Sequence, residues 1–130
     1  PEALVKGRER AYFEHFWNDF AADKNKSLSE SDRRGYTLAY ARPGRMAAGF
    51  AYFEAFPKTA VDFAQLATTK LTMPVLSIGG DKSLGVQLGD QAKLIASDVT
   101  VVVLKDTGHW IMEERPSETI PALTRFLERP

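Results

Sequence analysis

The 130 residues hold two histidines and no cysteine. Without cysteine there is no thiol nucleophile, no disulfide and no thiolate metal site. His15 lies between Glu14 and Phe16 in an aromatic stretch, with no partner at ligand spacing, and reads as a structural or exposed residue. His109 is placed differently. It follows the apolar run Val101 to Leu104 across the polar turn Lys105-Asp106-Thr107-Gly108, and it precedes Trp110. In parallel α/β sheets, ligands and catalytic groups gather just beyond the carboxyl ends of strands. Gly108 permits a tight backbone there, and Trp110 would shield one side of the imidazole. His109 is therefore the candidate catalytic residue.

A second group of residues suits an apolar pocket. Of the fourteen aromatic residues, only Trp110 and Phe126 lie beyond Phe63. Tyr12, Phe13, Phe16, Trp17 and Phe20 recur at helical spacing, so a helix from about Arg8 to Ala22 would bury one broad aromatic face. Such a face is ordinary core, yet apolar ligand pockets are also walled by rings with a few polar groups among them. Tyr36, Tyr40 and Tyr52 are the candidates for those polar groups, and each could equally be a structural hydroxyl.

The elements that must position these residues fall into two differently built stretches, 1–70 and 71–130, divided near Thr72-Met73-Pro74. The first reads as helices throughout. Asp23-Lys24-Asn25-Lys26 is a polar break, and Ser29, three residues before Asp32, caps a helix running to about Ala41. Pro43-Gly44 marks a turn. A third helix, about Arg45 to Phe56, stops at Pro57, and a shorter fourth turns Ala60, Phe63, Ala64 and Ala67 to one side.

After Pro74 the pattern changes. Val75 to Gly80 is a short apolar run closed by a glycine pair, which reads as a buried strand. A helix from about Val86 to Ala96 follows, then Thr100 to Leu104, apolar on both faces as a doubly covered strand should be. The strand–helix–strand spacing fits a right-handed parallel βαβ unit. Pro116 and Ser117 open a last helix, about Glu118 to Leu127, with Pro121 near its first turn. The fold class is α/β. Two parallel strands cannot close a core, so the sheet is incomplete on its own and needs a neighbour, from another segment or another copy.

Composition excludes several functions. Seventeen basic residues balance seventeen acidic ones, which removes the electrostatic footprint of a nucleic-acid or anionic-membrane binder. No apolar run approaches the roughly 20 residues of a membrane helix. No signal peptide is legible at the front, so a soluble, cytoplasmic protein is expected; the absence of an initial Met suits a processed or truncated product, or tag removal.

Gly108-His109-Trp110-Ile111-Met112-Glu113-Glu114-Arg115-Pro116 resembles the segment holding the catalytic histidine in α/β-hydrolases of the epoxide hydrolase and haloacetate dehalogenase group. Met73 to Lys82 resembles their penultimate strand and its exit loop. Gly7 to Phe13 and Phe50 to Pro57 are similar to the helical cap inserted into that fold. The resemblance implies a cap over 1–70 and the C-terminal βαβα part of the hydrolase core over 71–130. It also implies that His109 is the general base, which activates water to hydrolyse an ester formed on an aspartate.

The resemblance locates what is absent as well. The nucleophile of such enzymes sits on a sharp strand-to-helix turn ahead of the acid and the histidine. Nothing in the chain reads Gly-x-Ser-x-Gly or the Gly-His-Asp-x-Gly variant, and the oxyanion-hole segment is missing too. In Gly80-Asp81-Lys82-Ser83, Asp81 takes the Glu place of the family's Gly-Glu-Lys-Asp motif and Ser83 the acid's. Asp81 is thus either the orienting partner of His109 or a loop residue. Tyr52-Phe53-Glu54 stands where relatives often read Tyr-Tyr-Arg. Phe53 has no hydroxyl for the substrate oxygen or halide, and Tyr52 is rotated from it by about 100° on a helix.

The expected function is that of the C-terminal part of an α/β-hydrolase acting on a small, largely apolar substrate, epoxide hydrolase-like, supplying the histidine but not the nucleophile. Haloacetate dehalogenase-like and serine esterase parents are the alternatives, as is a non-catalytic cap or interaction module. His109, with Asp81, would carry the catalysis; Tyr52, Phe53, Trp110, Tyr36 and Tyr40 would line the pocket. Neither a metal nor an organic cofactor is implied. The expected partners are the small-molecule substrate and the missing N-terminal half or a second copy, with no nucleic acid and no membrane.

Overall fold

The computed structural model describes residues 2–129. Five helices precede the strands: α1 (Glu2–Val5), α2 (Glu9–Asp19), α3 (Glu30–Tyr40), α4 (Arg45–Glu54) and α5 (Phe56–Leu66). They are followed by β1 (Val75–Gly80), α6 (Gly85–Ile95), β2 (Val99–Leu104), α7 (Ile111–Glu114) and α8 (Pro116–Leu127). No helix of the described residues is long and apolar enough to cross a membrane.

In the helical part the sequence signals act locally as anticipated, with two exceptions. The Ser29 hydroxyl accepts the Asp32 N–H at 3.1 Å and so starts α3, a cap whose loss typically costs about 1 kcal/mol. Pro57 does not simply stop the third helix. The chain bends at Ala55 and Pro57 falls in the first turn of α5, where a missing N–H costs no helical bond. As a result α5, with 11 residues, is not shorter than the 10-residue α4.

The second exception is burial. Of the α2 aromatics only Trp17 is buried, stacked on Phe13 at 5.5 Å and flanked by the guanidinium groups of Arg10 and Arg33. Phe20 is 49% exposed and Phe63 64%. The aromatic face is covered chiefly where α3 packs against α2, with Phe50 of α4 against Tyr12 at 5.8 Å. Too few elements surround these rings to bury them all.

The strands form a parallel two-stranded sheet, in register from Val75 opposite Val99 to Gly80 opposite Leu104. An isolated bridge, Leu71 to Ala96, extends the pairing backwards. Both α6 and α8 pack on the sheet, and Ala92, Ala96, Leu104 and Ala122 form its buried apolar centre. The last helix starts at Pro116 rather than near Glu118. Pro121 therefore lies inside α8, beyond its first turn, where its missing N–H leaves a carbonyl of the preceding turn without its helical donor. Among the described residues the other edge of β1 has no strand beside it. There α5, α6 and β1 enclose an open apolar groove of about 690 Å³, lined by Ala64, Ala67, Leu76, Ile78, Leu88 and Leu94 among others.

Candidate active site around His109

The two strands end side by side, and their exit loops are bonded to each other. Asp81 N–H donates to the Leu104 carbonyl and Lys82 N–H to the Thr107 carbonyl, both at 2.9 Å. The fit is close: a Cβ on Gly80 would stand 2.0 Å from the Thr107 carbonyl oxygen. Asp106 adopts the left-handed conformation (φ 50°), which aspartate tolerates better than most residues, and this turns the chain back toward the sheet. Thr107 is fully buried.

Asp81 belongs to this junction. Its Oδ1 accepts the Thr107 N–H at 3.1 Å. That bond, with help from the Asp106 N–H and the Lys82 charge, holds its carboxyl below the usual aspartate range. Among the described residues it makes no hydrogen bond to His109. The observed contacts are those of a loop-fixing carboxylate.

His109 lies beyond the carboxyl end of β2, between the turn and α7. Its N–H donates to the Phe20 carbonyl at 2.8 Å, joining it to the end of α2. The exposed imidazole lies 5.8 Å from the Phe20 ring and stands edge-to-face with Trp110 at 4.8 Å. Neither ring nitrogen has a hydrogen-bond partner among the described residues. The Trp110 Nε1 is buried, also without a partner.

Two adjacent glutamates on α7 complete the surroundings. Glu114 Oε2 accepts the N–H groups of Gly108 at 2.9 Å and Ala22 at 3.0 Å, while Oε1 accepts that of Trp110 at 3.1 Å. Glu113 Oε1 accepts the Tyr36 hydroxyl at 2.7 Å. Backbone approaches backbone at Gly108, where a Cβ would meet the Ala22 nitrogen at 2.4 Å and the Phe20 oxygen at 2.5 Å.

The other pocket candidates are dispersed. Tyr40 packs on Phe13 at 4.7 Å, away from the imidazole. Tyr52, 68% exposed, and Phe53, 57% exposed, cluster with Phe56, apart from the His109–Trp110–Phe20 group. The other histidine, His15, pairs through Nδ1 with Asp19 Oδ2 at 2.8 Å on the exposed side of α2. Sequence reasoning passed over Glu114 and the Phe20 carbonyl. Glu114 stood in the quoted histidine segment, but nothing in its spacing reveals a bond to a residue 92 positions earlier.

Superposition on solved structures decides the fold. A structure from Nostoc sp. PCC 7120, described as that of an α/β-hydrolase, matches 100% of this chain with a TM-score of 0.87 at 23% sequence identity, over 45% of its own length. The chain has part of the α/β-hydrolase fold.

No protein-family model matches the chain. Among curated proteins the chain is similar to the soluble epoxide hydrolase of Corynebacterium sp. (strain C12), 28% identical over 125 residues, which is 95% of this chain and 43% of that protein. It is also similar to epoxide hydrolase B of Mycobacterium tuberculosis, 32% identical over 105 residues, 77% of this chain and 29% of that protein. The chain thus spans less than half the length of the curated relatives it matches.

Proposed function

We propose that residues 1–70 are the cap and 71–130 the C-terminal core of an epoxide hydrolase-like enzyme, to which this chain contributes the general base. The single observation that supports this most is His109: an open imidazole without a hydrogen-bond partner among the described residues, just past a strand end, set between Phe20 and Trp110. In this reading an aspartate carried elsewhere in the fold opens the substrate to a covalent ester. His109 takes a proton from water as the water oxygen adds to the ester carbonyl. The alcohol leaves with the proton that His109 returns, the second water proton passes to solvent, and the carboxylate is regenerated. Water, acid, base and nucleophile suffice for the step, so the proposal includes no metal or organic cofactor.

Position 53 favours a second reading. Phe53 cannot donate to an epoxide oxygen, and the hydroxyl of Tyr36 is already engaged by Glu113. A simple ester is hydrolysed without a donor at that position. An assay with an epoxide, a haloacetate and an aryl ester separates the readings. It is run on the chain alone and on the chain joined to the segment that completes its sheet. The expected outcome is no turnover by the chain alone above a His109→Ala control, and turnover by the complete protein that this substitution abolishes. Robust His109-dependent turnover by the 130 residues alone would overturn the assignment of the nucleophile to another segment.

A further inference from the structure

We propose that Glu114 is the positioning residue of the His109 loop and the latch that joins this loop to the end of α2. The inference rests on the reading of His109 as the base; the geometry of the latch stands apart from it. One carboxylate accepts three backbone N–H groups, from Gly108, Trp110 and Ala22. Two of these donors flank His109 on either side, so the carboxylate fixes the peptide planes before and after the histidine. The third comes from the segment whose Phe20 carbonyl accepts the His109 N–H. The loop and the helix end are thus bonded reciprocally, His109 donating one way and Ala22 the other.

The chemistry of the side chain fits this task. A carboxylate has two oxygens and about four acceptor sites, enough for three donors at once, whereas an amide has one carbonyl oxygen and brings its own unwanted donors. Hydrogen bonds to an ionised acceptor are stronger than neutral ones. Gly108 allows the close approach, since any side chain there would fall on the Phe20–Ala22 backbone. The side chain of Glu114 stays out of reach of a substrate placed at the imidazole, because both its oxygens are turned to the backbone. Its effect is exerted through His109, whose ring is held between Phe20 and Trp110 only while these two segments stay together.

Hydrogen exchange and histidine NMR on the full chain test this without requiring turnover. Wild type, Glu114→Ala, Glu114→Gln and, as control, Glu118→Ala are compared well below their melting temperatures. In Glu114→Ala the amides of Ala22, Gly108 and Trp110 should exchange together about tenfold faster or more. The His109 Cε1–H resonance should lose the displacement that the neighbouring rings impose. Glu114→Gln should restore part of both effects, and Glu118→Ala should change neither. Unchanged exchange and an unchanged His109 resonance in Glu114→Ala would overturn the proposal, as would acceleration spread evenly over all amides. If the latch behaves as described while His109→Ala leaves a complete enzyme fully active, the base assignment fails and the latch stands.

Discussion

The Tyr36 hydroxyl donates to Glu113 Oε1 at 2.7 Å across 77 residues of sequence, pinning α3 to the short helix that follows His109. That bond, then desolvation, then the Glu113 charge push the Tyr36 hydroxyl up to about 12. A pKa raised on folding means the folded state holds its proton more tightly. The tie is therefore fully present below the ordinary tyrosine value of about 10 and is lost as pH rises toward about 12. Absorbance titration should show the late ionisation of Tyr36, lost in Tyr36→Phe. Because Tyr36 is 40% exposed, this substitution should cost no more than about 1 kcal/mol in a denaturant melt.

At the strand ends Asp81 responds to pH in the opposite direction. Its carboxyl is held low by the Thr107 N–H first, so the contribution is present above about pH 4 and fades as pH falls through the lowered value. Asp81→Asn keeps the accepting oxygen and should be milder than Asp81→Ala, which leaves the buried loop without its acceptor. Thermal melts between pH 3 and 7, taken as about the carboxylate range, should show the acid-sensitive difference shrinking in both variants.

Gly108 should tolerate no side chain. In Gly108→Ala the new methyl lies within 2.4–2.5 Å of the Ala22 nitrogen and Phe20 oxygen, which are backbone atoms and cannot rotate away. Separation of the His109 loop from α2 should cost about 1–3 kcal/mol, read as a lower denaturant midpoint with faster exchange at Ala22. A midpoint unchanged from wild type would show that the two backbones part freely.

Much of the fold was legible because local rules governed it. Ser29 before Asp32 is a local cap signal, and the apolar runs from Val75 and from Thr100 have the length and branching of covered parallel strands. The errors arose where tertiary context overrode a local signal. The sequence alone makes Pro57 the stop of the third helix and puts Pro121 near the first turn of the last, whereas Pro57 opens α5 and Pro121 lies further inside α8. Aromatic periodicity predicted a buried face, but periodicity says which rings share a side and not whether another element covers them. The position of His109 beyond the end of a strand was legible from the apolar run before it. Glu114 was not, because its three bonds join segments brought together only by the fold.

The unpaired edge of β1 bears on solution behaviour. An apolar strand without a bulge or an inward charge is a template for pairing, and the adjoining groove leaves Leu88 and Leu94 exposed. Size-exclusion chromatography with light scattering should find the isolated chain self-associated. A monodisperse 14.5 kDa species with a cooperative melt would show that these residues close their own core.

The intact mass of a His109→Gln variant tests the role of His109 as general base most directly. The variant is made in the protein that completes the sheet and is mixed with excess epoxide. Loss of the base should leave the first covalent step intact and block its hydrolysis, so that one substrate equivalent accumulates on the protein while the fold persists. Undiminished turnover without any adduct would contradict the assignment of His109 as the general base.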